Sequence, residues 1–238
     1  MVGMDAGPRP RSVVAAAATV LGLLAAIPLD WLAPPSCAAC DAEVPPGRVF
    51  CAPCAATVVR LPLAACGPAG SLAPFAFGGA VAEAVRRFKY GARPDLARPL
   101  GHLLRAAVQD AGLRAVVVVQ VPLHPRRRAE RGYDQAGLLA RHVAAALDRP
   151  HRPGALWRIR HGAAQASLGR EDRRSNPALA FEGDPRRLRG AQVLLVDDVI
   201  TTGATVRACR DALLAAGAAS PIVILGLARA EAPEGAPP

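Results

Sequence analysis

The sequence predicts an α/β fold in which a parallel sheet is flanked by helices, with a small cysteine-rich module ahead of it. Three apolar stretches predict buried strands: residues 115–122 (AVVVVQVP), 192–199 (QVLLVDDV) and 221–228 (PIVILGLA). Runs that are apolar at nearly every position are typical of parallel strands covered on both faces. A helical pattern at residues 205–217 separates the last two, and strand, helix and strand at these lengths form a right-handed β-α-β unit.

Three further amphipathic helices are predicted between the module and the last strands. The first follows a short strand and a Gly-Gly turn, the second begins near Pro94, and the third follows a basic stretch that we expect to be a loop, residues 123–135. The apolar residues that define their faces are Val81, Ala84, Val85 and Phe88; Leu96, Leu100, Leu103 and Leu104; and Leu138, Leu139, Val143 and Leu147. Residues 149–184 are polar and poorly periodic, which predicts a long loop.

Length and composition allow one sizeable core and an appended module. The chain has 238 residues, of which 52% are apolar and 20% charged, so an intrinsically disordered chain is excluded. The net charge is +10, and arginine carries nearly all the positive charge because Lys89 is the only lysine. This charge indicates either an anionic partner or an arginine-rich composition that fills ordinary surface positions.

The N-terminal segment, residues 9–33, has three interpretations. Two arginines followed by an alanine-rich apolar run resemble a secretory signal. The apolar run from Val13 to Leu29 is 17 residues long and contains Gly22 and Pro28, so it is short for a membrane span, which needs about 20 residues. An amphipathic or buried helix that ends near Asp30 is the third.

Four cysteines, Cys37, Cys40, Cys51 and Cys54, are arranged as two C-x2-C pairs with ten residues between them. Each pair can turn two thiolates toward one point, and two pairs supply the four sulfurs of a tetrahedral zinc site. Disulfides in a secreted protein are the alternative, but closely spaced pairs make poor disulfide frameworks, so zinc is favoured. Cys66 is interpreted as a loop thiol and Cys209 as a core residue of the helix at 205–217.

Residues 193–205 (VLLVDDVITTGAT) carry the strongest indication of a ligand site. In open parallel sheets ligands bind beyond the carboxyl ends of the strands, where Asp197 and Asp198 are expected. Two carboxylates suit the hydroxyl groups of a sugar, with Mg²⁺ nearby. The loop from Thr201 to Thr205 leads into a helix, whose free N–H groups favour an anion, and Gly203 lets the backbone approach it. Together these features predict a site for a ribose phosphate.

The chain resembles the ComF family in this stretch and in others that occur in the family's order. VLLVDDVITTGAT is similar to the phosphoribosyl pyrophosphate (PRPP) motif of type I phosphoribosyltransferases. The other matching stretches are LAPPSCAAC with CAPC, FKYGARPDLARPLG, VPLHPRRRAERGYDQA and RIRHGAAQASLGREDRRSNPALAF, so that the match runs from about residue 29 to 228. No Walker A or G-x-G-x-x-G sequence is present, which argues against nucleoside-triphosphate and dinucleotide folds.

The resemblance implies a type I phosphoribosyltransferase fold that binds PRPP. It assigns the ribose to Asp197 and Asp198, and it implies that these two aspartates and Arg131 take part in catalysis. The implied PRPP contacts also include Thr201, Thr202, Gly203, Ala204, Thr205, Pro122, Leu123, His124, Arg126 and Arg127. A covering loop is expected within residues 158–181, and Asp134 stands where many relatives have asparagine. The implied cofactors are Mg²⁺ with PRPP and a structural Zn²⁺ on the four cysteines.

The resemblance also implies a domain division and a cellular context. We expect an apolar N-terminal helix (1–33), a zinc-ribbon-like module (34–70), a phosphoribosyltransferase-like domain (71–230) and a disordered tail (231–238). PRPP and reduced zinc thiolates belong in the cytoplasm, and relatives often begin with a short apolar helix, so a cytoplasmic protein without a stable membrane span is expected. The implied function is Mg²⁺-dependent phosphoribosyl transfer to an unknown acceptor. The alternatives are a non-catalytic competence factor that handles single-stranded DNA with a helicase partner, and a PRPP-sensing regulator.

Overall fold

A computed structural model describes residues 35–63, 67–110, 117–159 and 180–230 of the chain. The strands are β1 (Phe75–Ala76), β2 (Val117–Gln120), β3 (Leu156–Arg158), β4 (Phe181–Gly183), β5 (Gln192–Ile200) and β6 (Ala219–Arg229). The α-helices are α1 (Ala52–Ala55), α2 (Gly79–Tyr90), α3 (Ala97–Asp110), α4 (Pro125–Arg131), α5 (Gln135–Leu147), α6 (Pro185–Leu188) and α7 (Ala204–Ala215). Short 3-10 turns lie at Pro68–Gly70 and Pro94–Leu96.

The sheet has the strand order β1-β6-β5-β2, and every neighbouring pair in it is parallel. β5 lies inside the sheet, with Val193 opposite Val117 of β2 and Leu195 opposite Ile224 of β6. Its residues Val193–Val196 are fully buried because strands cover both edges and helices cover both faces. The predicted α/β class with a parallel sheet flanked by helices is confirmed.

Alternate residues of the strands point into two separate cores. Leu194, Val196 and Leu225 belong to the core that contains the apolar faces of α2, α3 and α5. Leu195 and Ile224 belong to the other core, which contains the apolar face of α7, including the predicted core residue Cys209. The helix faces predicted from periodicity are buried as expected, apart from the half-buried Leu103, Leu138 and Leu147.

The cysteine-rich module packs on the first of these cores. Cys37 and Ala38 are fully buried, and they share one apolar cluster with Phe88 of α2 and Leu194 of β5. The module turns back near Asp41, whose φ is +62°, so that Ser36 pairs with Glu43 across an antiparallel bridge, and it turns again at Gly47, whose φ is +82°. The module and the sheet domain are therefore joined by a shared core and not only by the chain.

The structure differs from the sequence prediction in the basic stretch after β2, where a short helix stands in place of a loop. Pro125 fits the first turn of α4, the backbone N–H of Arg126 donates to His124 Nδ1 at 3.2 Å, and Gly132, with φ +77°, ends the helix. The stretch has no apolar periodicity because α4 buries none of its residues, so only its end signals could have indicated a helix.

The polar region after α5 also contains structure that periodicity does not predict. β3 and β4 form an antiparallel pair, with Leu156 opposite Gly183 and Arg158 opposite Phe181. Each strand has three residues, which is too short for an alternating pattern to be recognised. This pair stands apart from the parallel sheet and carries Arg158 toward the ligand cleft described below.

Several predictions concern residues outside the described ranges. These are the apolar helix at 1–33, the loop cysteine Cys66, the covering loop apart from its two ends, and the tail at 231–238. Within the ranges that the structure does describe, every helix is too short or too polar to cross a bilayer.

Candidate functional site

A cleft of about 200 Å³ opens at the carboxyl edge of the parallel sheet. It is formed where β5 ends, where the chain leaves β2, and where the last turn of α2 meets the start of α5. Its lining residues are Lys89, Tyr90, Val121, Pro122, Leu123, His124, Arg127, Arg131, Asp134, Gln135, Ala136, Arg158, Asp197, Asp198, Val199 and Thr205. The cleft occupies the position at which parallel α/β sheets bind their ligands.

The two aspartates of the PRPP-like motif both line this cleft, and each has a defined contact. Asp198 is 7% exposed, and its Oδ1 lies 2.7 Å from Nζ of Lys89, at the end of α2. Asp197 is partly buried, and its Oδ1 accepts a hydrogen bond of 2.8 Å from the backbone N–H of Asp198. Lys89 therefore neutralises one carboxylate, while the other depends on a backbone dipole.

The environment of Asp197 disfavours its charged form. Burial, and after it the negative charge of Asp198, raises the pKa of Asp197 to about 7. The hydrogen bond from the backbone of Asp198 and the charge of Lys89 act in the opposite direction but do not compensate. A carboxylate of this kind gains its charge near neutral pH, and a ligand that donates hydrogen bonds to it would stabilise the ionised form.

A second cavity of about 40 Å³ adjoins the first at the start of α7. It is lined by Asp197, Val199, Ile200, Thr201, Gly203, Ala204, Thr205 and Val206. Gly203 is the N-cap of α7 with a left-handed φ of +75°, which an L-residue adopts only at a cost. The loop is fixed from behind because Arg207 Nη2 donates to the carbonyl oxygen of Thr202 at 2.9 Å. This cavity suits an anion, since helix N-termini present free N–H groups.

Two arginines reach the cleft from α4, which starts with the loop after β2. Arg127 is exposed, whereas Arg131 is held in place by two contacts. Arg131 Nη1 donates to Gln135 Oε1 at 3.0 Å, and the Arg131 guanidinium lies 4.9 Å from the ring centroid of Tyr90. Gln135 is itself buried, and its Nε2 donates to the carbonyl oxygen of Phe88 at 3.4 Å. A guanidinium that is fixed in this way can meet an anionic group with little loss of side-chain entropy.

Most of the predicted PRPP contacts come together in the two cavities. Pro122, Leu123, His124, Arg127, Arg131, Asp197, Asp198, Thr201, Gly203, Ala204 and Thr205 line one or both of them. Arg126 and Thr202 line neither: the Arg126 side chain is exposed, and Thr202 instead closes its own loop, where its Oγ1 accepts from the backbone N–H of Ala204 at 3.4 Å. The predicted contacts therefore reach the two cavities from two stretches of chain, residues 122–131 and 197–205.

Sequence reasoning did not assign a role in the site to Lys89, Tyr90 or Gln135. Lys89 had a signal of its own, because a single lysine in a chain with a formal charge of +10 is conspicuous and lies in the FKYG stretch of the family resemblance. Tyr90 and Gln135 had none, because their positions depend on how α2 and α5 pack. Tyr90 is 75% exposed at the rim of the cleft.

Asp134 lines the cleft and caps α5, where its Oδ1 accepts from the backbone N–H of Gly137 at 3.0 Å. Burial raises the pKa of Asp134, against the lowering effects of that backbone contact, the charge of Arg128 and the side chain of Gln120. Gln120 Oε1 lies 2.8 Å from Nε2 of the half-buried His151. An asparagine would serve equally well as the cap at this position, without the cost of a buried charge.

The four cysteines of the N-terminal module converge on one point. Their Sγ atoms all lie within 4.8 Å of one another, and those of Cys40 and Cys51 are 3.6 Å apart. All four are free thiols, so the disulfide interpretation is not supported for them. Backbone hydrogen bonds outweigh burial and lower the pKa of Cys37 to about 6, whereas contacts with the sulfurs of Cys51 and Cys40 raise the pKa of Cys54 to about 12.

This arrangement fits a tetrahedral Zn²⁺. Zn–S bonds of about 2.3 Å place tetrahedral sulfurs roughly 3.8 Å apart, close to the observed separation of Cys40 and Cys51. Four thiolates cannot share so small a space without a cation, since each raises the cost of ionising the next. A dication at their centre would remove that cost and would bind all four sulfurs as thiolates.

Curated proteins similar to this chain carry names connected with competence and DNA utilization. Competence protein F of Haemophilus influenzae is 35% identical over 153 residues, 61% of this chain and 66% of that protein. DNA utilization protein YhgH of Escherichia coli K12 is 33% identical over 141 residues, 57% of this chain and 62% of that protein. Competence protein ComFC of Bacillus subtilis is 34% identical over 114 residues, 48% of this chain and 44% of that protein. The chain thus spans less than two thirds of the length of these relatives, and no protein-family model matches it.

Solved structures with partial likeness include the glutamine PRPP amidotransferase of B. subtilis in complex with ADP and GMP. It has a TM-score of 0.45 and 22% identity, and the likeness covers 60% of this chain and 30% of that one. Adenine phosphoribosyltransferase of Saccharomyces cerevisiae has a TM-score of 0.35 and 18% identity, covering 57% and 69% of the two chains. Likenesses of this extent carry no conclusion about what this chain binds.

Proposed function

The chain belongs to the family of ComF, ComFC and YhgH homologues, and we propose that it binds PRPP in the cleft at the edge of its sheet. One observation carries the proposal. Paired carboxylates at the end of β5 line the larger cavity, and the helix N-terminus with a left-handed Gly203 lines the smaller one, which shares Asp197 with it. The spacing suits a ligand that has sugar hydroxyls at one end and a phosphate at the other.

In this proposal each part of the ligand meets groups of matching chemistry. Asp197 and Asp198 accept hydrogen bonds from the ribose hydroxyls, and the N–H groups at the start of α7 hold the 5-phosphate. The pyrophosphate lies near the loop after β2, within reach of Arg127 and of the fixed Arg131. These arginines would stabilise negative charge on the pyrophosphate as it leaves an oxocarbenium-like anomeric carbon.

Mg²⁺ would accompany the ligand, and the carboxylate oxygens of Asp197 and Asp198 are donors that this hard cation accepts. When bound, Mg²⁺ would neutralise charge on the pyrophosphate. Zn²⁺ would occupy the four-cysteine cluster as a structural ion. Reduced thiolates and PRPP are both suited to the cytoplasm, which is the compartment we propose.

The proposal is tested by titrating PRPP with Mg²⁺ into the protein in a calorimeter. We expect binding by the unaltered chain and a loss of at least about 100-fold in the combined Asp197→Asn and Asp198→Asn variant, because charge-assisted hydrogen bonds contribute about 1.5–3 kcal/mol each. Asp211→Asn is a matched control, since Asp211 lies in α7, pairs with Arg210 and lines neither cavity. Absence of binding by the unaltered chain, or equal affinity in the combined variant, would refute the site.

The pH dependence of this binding gives a second readout. Burial raises the pKa of Asp197 to about 7, so between pH 8 and pH 6 the free protein loses an acceptor as Asp197 takes up a proton. The PRPP dissociation constant should therefore rise as the pH falls through this window, by at most about tenfold per pH unit. In Asp197→Asn the affinity should be lower throughout, and this rise should be absent.

Turnover separates an enzyme from a regulator. With PRPP bound, release of pyrophosphate in the presence of a panel of nucleophilic acceptors would establish phosphoribosyl transfer. Binding without release under any of these conditions would favour a PRPP-sensing regulator that retains the fold.

Handling of single-stranded DNA, with a helicase as partner, is the second candidate function. It is favoured by the names of the relatives and by three consecutive exposed arginines of α4, Arg126, Arg127 and Arg128, of which Arg127 lines the cleft. Aromatic residues make up only 4% of the chain, so few side chains are available for bases to stack on. A gel-shift assay with single-stranded DNA at low salt tests this function, and a negative result there would remove it.

A further inference from the structure

The last turn of α2 lies between the cysteine cluster and the ligand cleft, and its side chains contact both. Arg87 Nη1 donates to the carbonyl oxygen of Ala38 at 3.2 Å, and Arg87 Nη2 pairs with Asp41, the residue after Cys40. Two residues further on, Lys89 Nζ lies 2.7 Å from Asp198 Oδ1. Positions two apart on an α-helix point in nearly opposite directions, so one turn connects the two sites.

Asp41 pairs with an arginine in the last turn of α2, Arg87, and with a second arginine just after the helix, Arg93. Its second carboxylate oxygen accepts from Arg93 Nη1 at 2.8 Å, and Arg93 also pairs with Asp95 at 2.7 Å. Asp41 therefore holds the chain on both sides of the end of α2. Its own position is set by the cysteine knuckle, because its backbone N–H donates to the carbonyl oxygen of Cys37 at 3.0 Å and its φ is +62°.

The other side of this turn is held by the core and by the segment between α4 and α5. Phe88 is fully buried, and its carbonyl oxygen accepts a hydrogen bond of 2.5 Å from the hydroxyl of Tyr133. Lys89 is the most flexible contact of the turn, since its ammonium group sits on a four-carbon stem. The backbone at the end of α2 sets the point from which this stem starts, and the far end of the stem makes the 2.7 Å contact with Asp198.

We propose that Asp41 and Arg87 are positioning residues, through which the cysteine module holds Lys89 against Asp198 in the ligand cleft. Ion pairs exposed to this degree contribute little to stability, because the Asp41 side chain is 52% exposed and such pairs give about 0.2–1 kcal/mol. Their effect is therefore on the position of the helix end. Lys89 is the counter-ion of Asp198 in the free protein, and an incoming polyanion can take it over while Asp198 turns to the ligand's hydroxyl groups.

This inference deepens the proposed function, since it gives the cysteine module a role in PRPP binding. The contact between Lys89 and Asp198 can nevertheless be tested without any ligand. Lys89 is the only lysine of the chain, so an amine-acylating reagent followed by peptide mass spectrometry reports on one side chain, with the N-terminus resolved separately. A lysine that is 20% exposed and held on a carboxylate should react slowly.

The experiment compares the rate of Lys89 acylation in four chains. Asp198→Asn removes the partner and sets the fast limit. Asp41→Asn should raise the rate about three- to tenfold over the unaltered chain, and asparagine tolerates the positive φ at this position. Asp95→Asn is the matched control, because it removes another carboxylate from Arg93 but leaves Asp41 on Arg87, and its rate should equal that of the unaltered chain.

A general loss of structure is separated from a positioning effect by two measurements. Metal content and thermal unfolding should be nearly unchanged in Asp41→Asn, and Arg87→Met, which removes the other partner of the pair without adding a lysine, should react as fast as Asp41→Asn. The proposal is overturned if Asp41→Asn reacts at the rate of the unaltered chain, if Asp95→Asn accelerates the reaction equally, or if Asp198→Asn does not accelerate it at all.

The PRPP titration then distinguishes this inference from the proposed function. If the chain binds PRPP, Asp41→Asn should weaken binding a few-fold at unchanged metal content, and an unchanged affinity would overturn the link to the ligand. If the chain does not bind PRPP, the proposed function fails, whereas the acylation rates still decide whether the module positions Lys89.

Discussion

The cysteine cluster and the ligand cleft differ in how far apart their residues lie in the sequence. The cluster draws its four thiols from residues 37–54, a segment that turns at Asp41 and at Gly47, both of which have a positive φ. The cleft draws its residues from the ends of α2, β2, β3 and β5 and from α4 and α5, so that it exists only when the sheet is complete. The cluster is therefore a local site, while the cleft is a distributed site that needs the whole core.

The largest effect is expected from removal of the metal that we propose for the cluster. Chelation, or Cys51→Ser, should lower the melting temperature of the whole chain by about 10 °C. A structural zinc contributes several kcal/mol to stability, and each kcal/mol lost lowers the melting temperature of a chain of this length by about 2–4 °C. The effect should reach beyond the module, since Cys37 and Ala38 share a core with α2. Thermal unfolding followed by circular dichroism, together with metal analysis, measures it.

Cys209→Ala serves as the control for this prediction. Cys209 is a buried thiol of α7 that lies outside the cluster, so its removal should leave one metal ion per chain. The proposed dependence of the cluster on a cation would be contradicted if Cys51→Ser kept its full metal content. It would also be contradicted if chelation left the melting temperature unchanged.

A smaller effect, on the affinity for PRPP, is expected from a substitution in the second cavity, at the start of α7. Gly203→Ala places a Cβ at a left-handed N-cap and should cost about 1–2 kcal/mol, because an L-residue is strained there. The loop can relieve that strain only by moving the N–H groups at the start of α7. The affinity for PRPP, measured by calorimetry, should therefore fall about tenfold.

Gly190→Ala is the control that separates the effect of backbone strain on stability from an effect on PRPP binding. Gly190 has a φ of +69°, a Cβ there would meet nothing within 4 Å, and it lines neither cavity. This variant should lose a similar amount of stability and keep its affinity for PRPP. Equal losses of affinity in both variants would mean that the start of α7 has no special part in binding.

The same contrast explains what could be predicted from sequence. Two C-x2-C pairs specify the cluster because the ligands and their spacing are in one short segment. Val193–Val196 predicts a buried strand because its apolar residues are consecutive, and the aspartates that follow it must then lie at the sheet edge. These inferences use local patterns and one general rule about parallel sheets.

The remaining features depend on packing between distant segments, which a local pattern does not contain. Gln135 fixes Arg131, but a glutamine in a helix carries no sign that it will be buried. Lys89 reaches Asp198 only because α2 ends beside the end of β5. α4 was predicted as a loop because it buries none of its residues, although its end signals are present.

The smallest effect is expected at Asp134, where the cleft contains a carboxylate that burial disfavours. Burial raises the pKa of Asp134 in the folded chain, so its stabilising contribution is present at low pH and is lost as the pH rises through that pKa. Asp134→Asn keeps the cap on Gly137 and removes the charge. The free energy of unfolding, measured with urea, should be higher than that of the unaltered chain at pH 8, and this gain should vanish below about pH 4, the ordinary pKa of an aspartate. Asp134→Ala, which also loses the cap, should be destabilised by about 1 kcal/mol at low pH. If Asp134→Asn were less stable than the unaltered chain at pH 8, the carboxylate would have a favourable partner in the cleft that outweighs its burial.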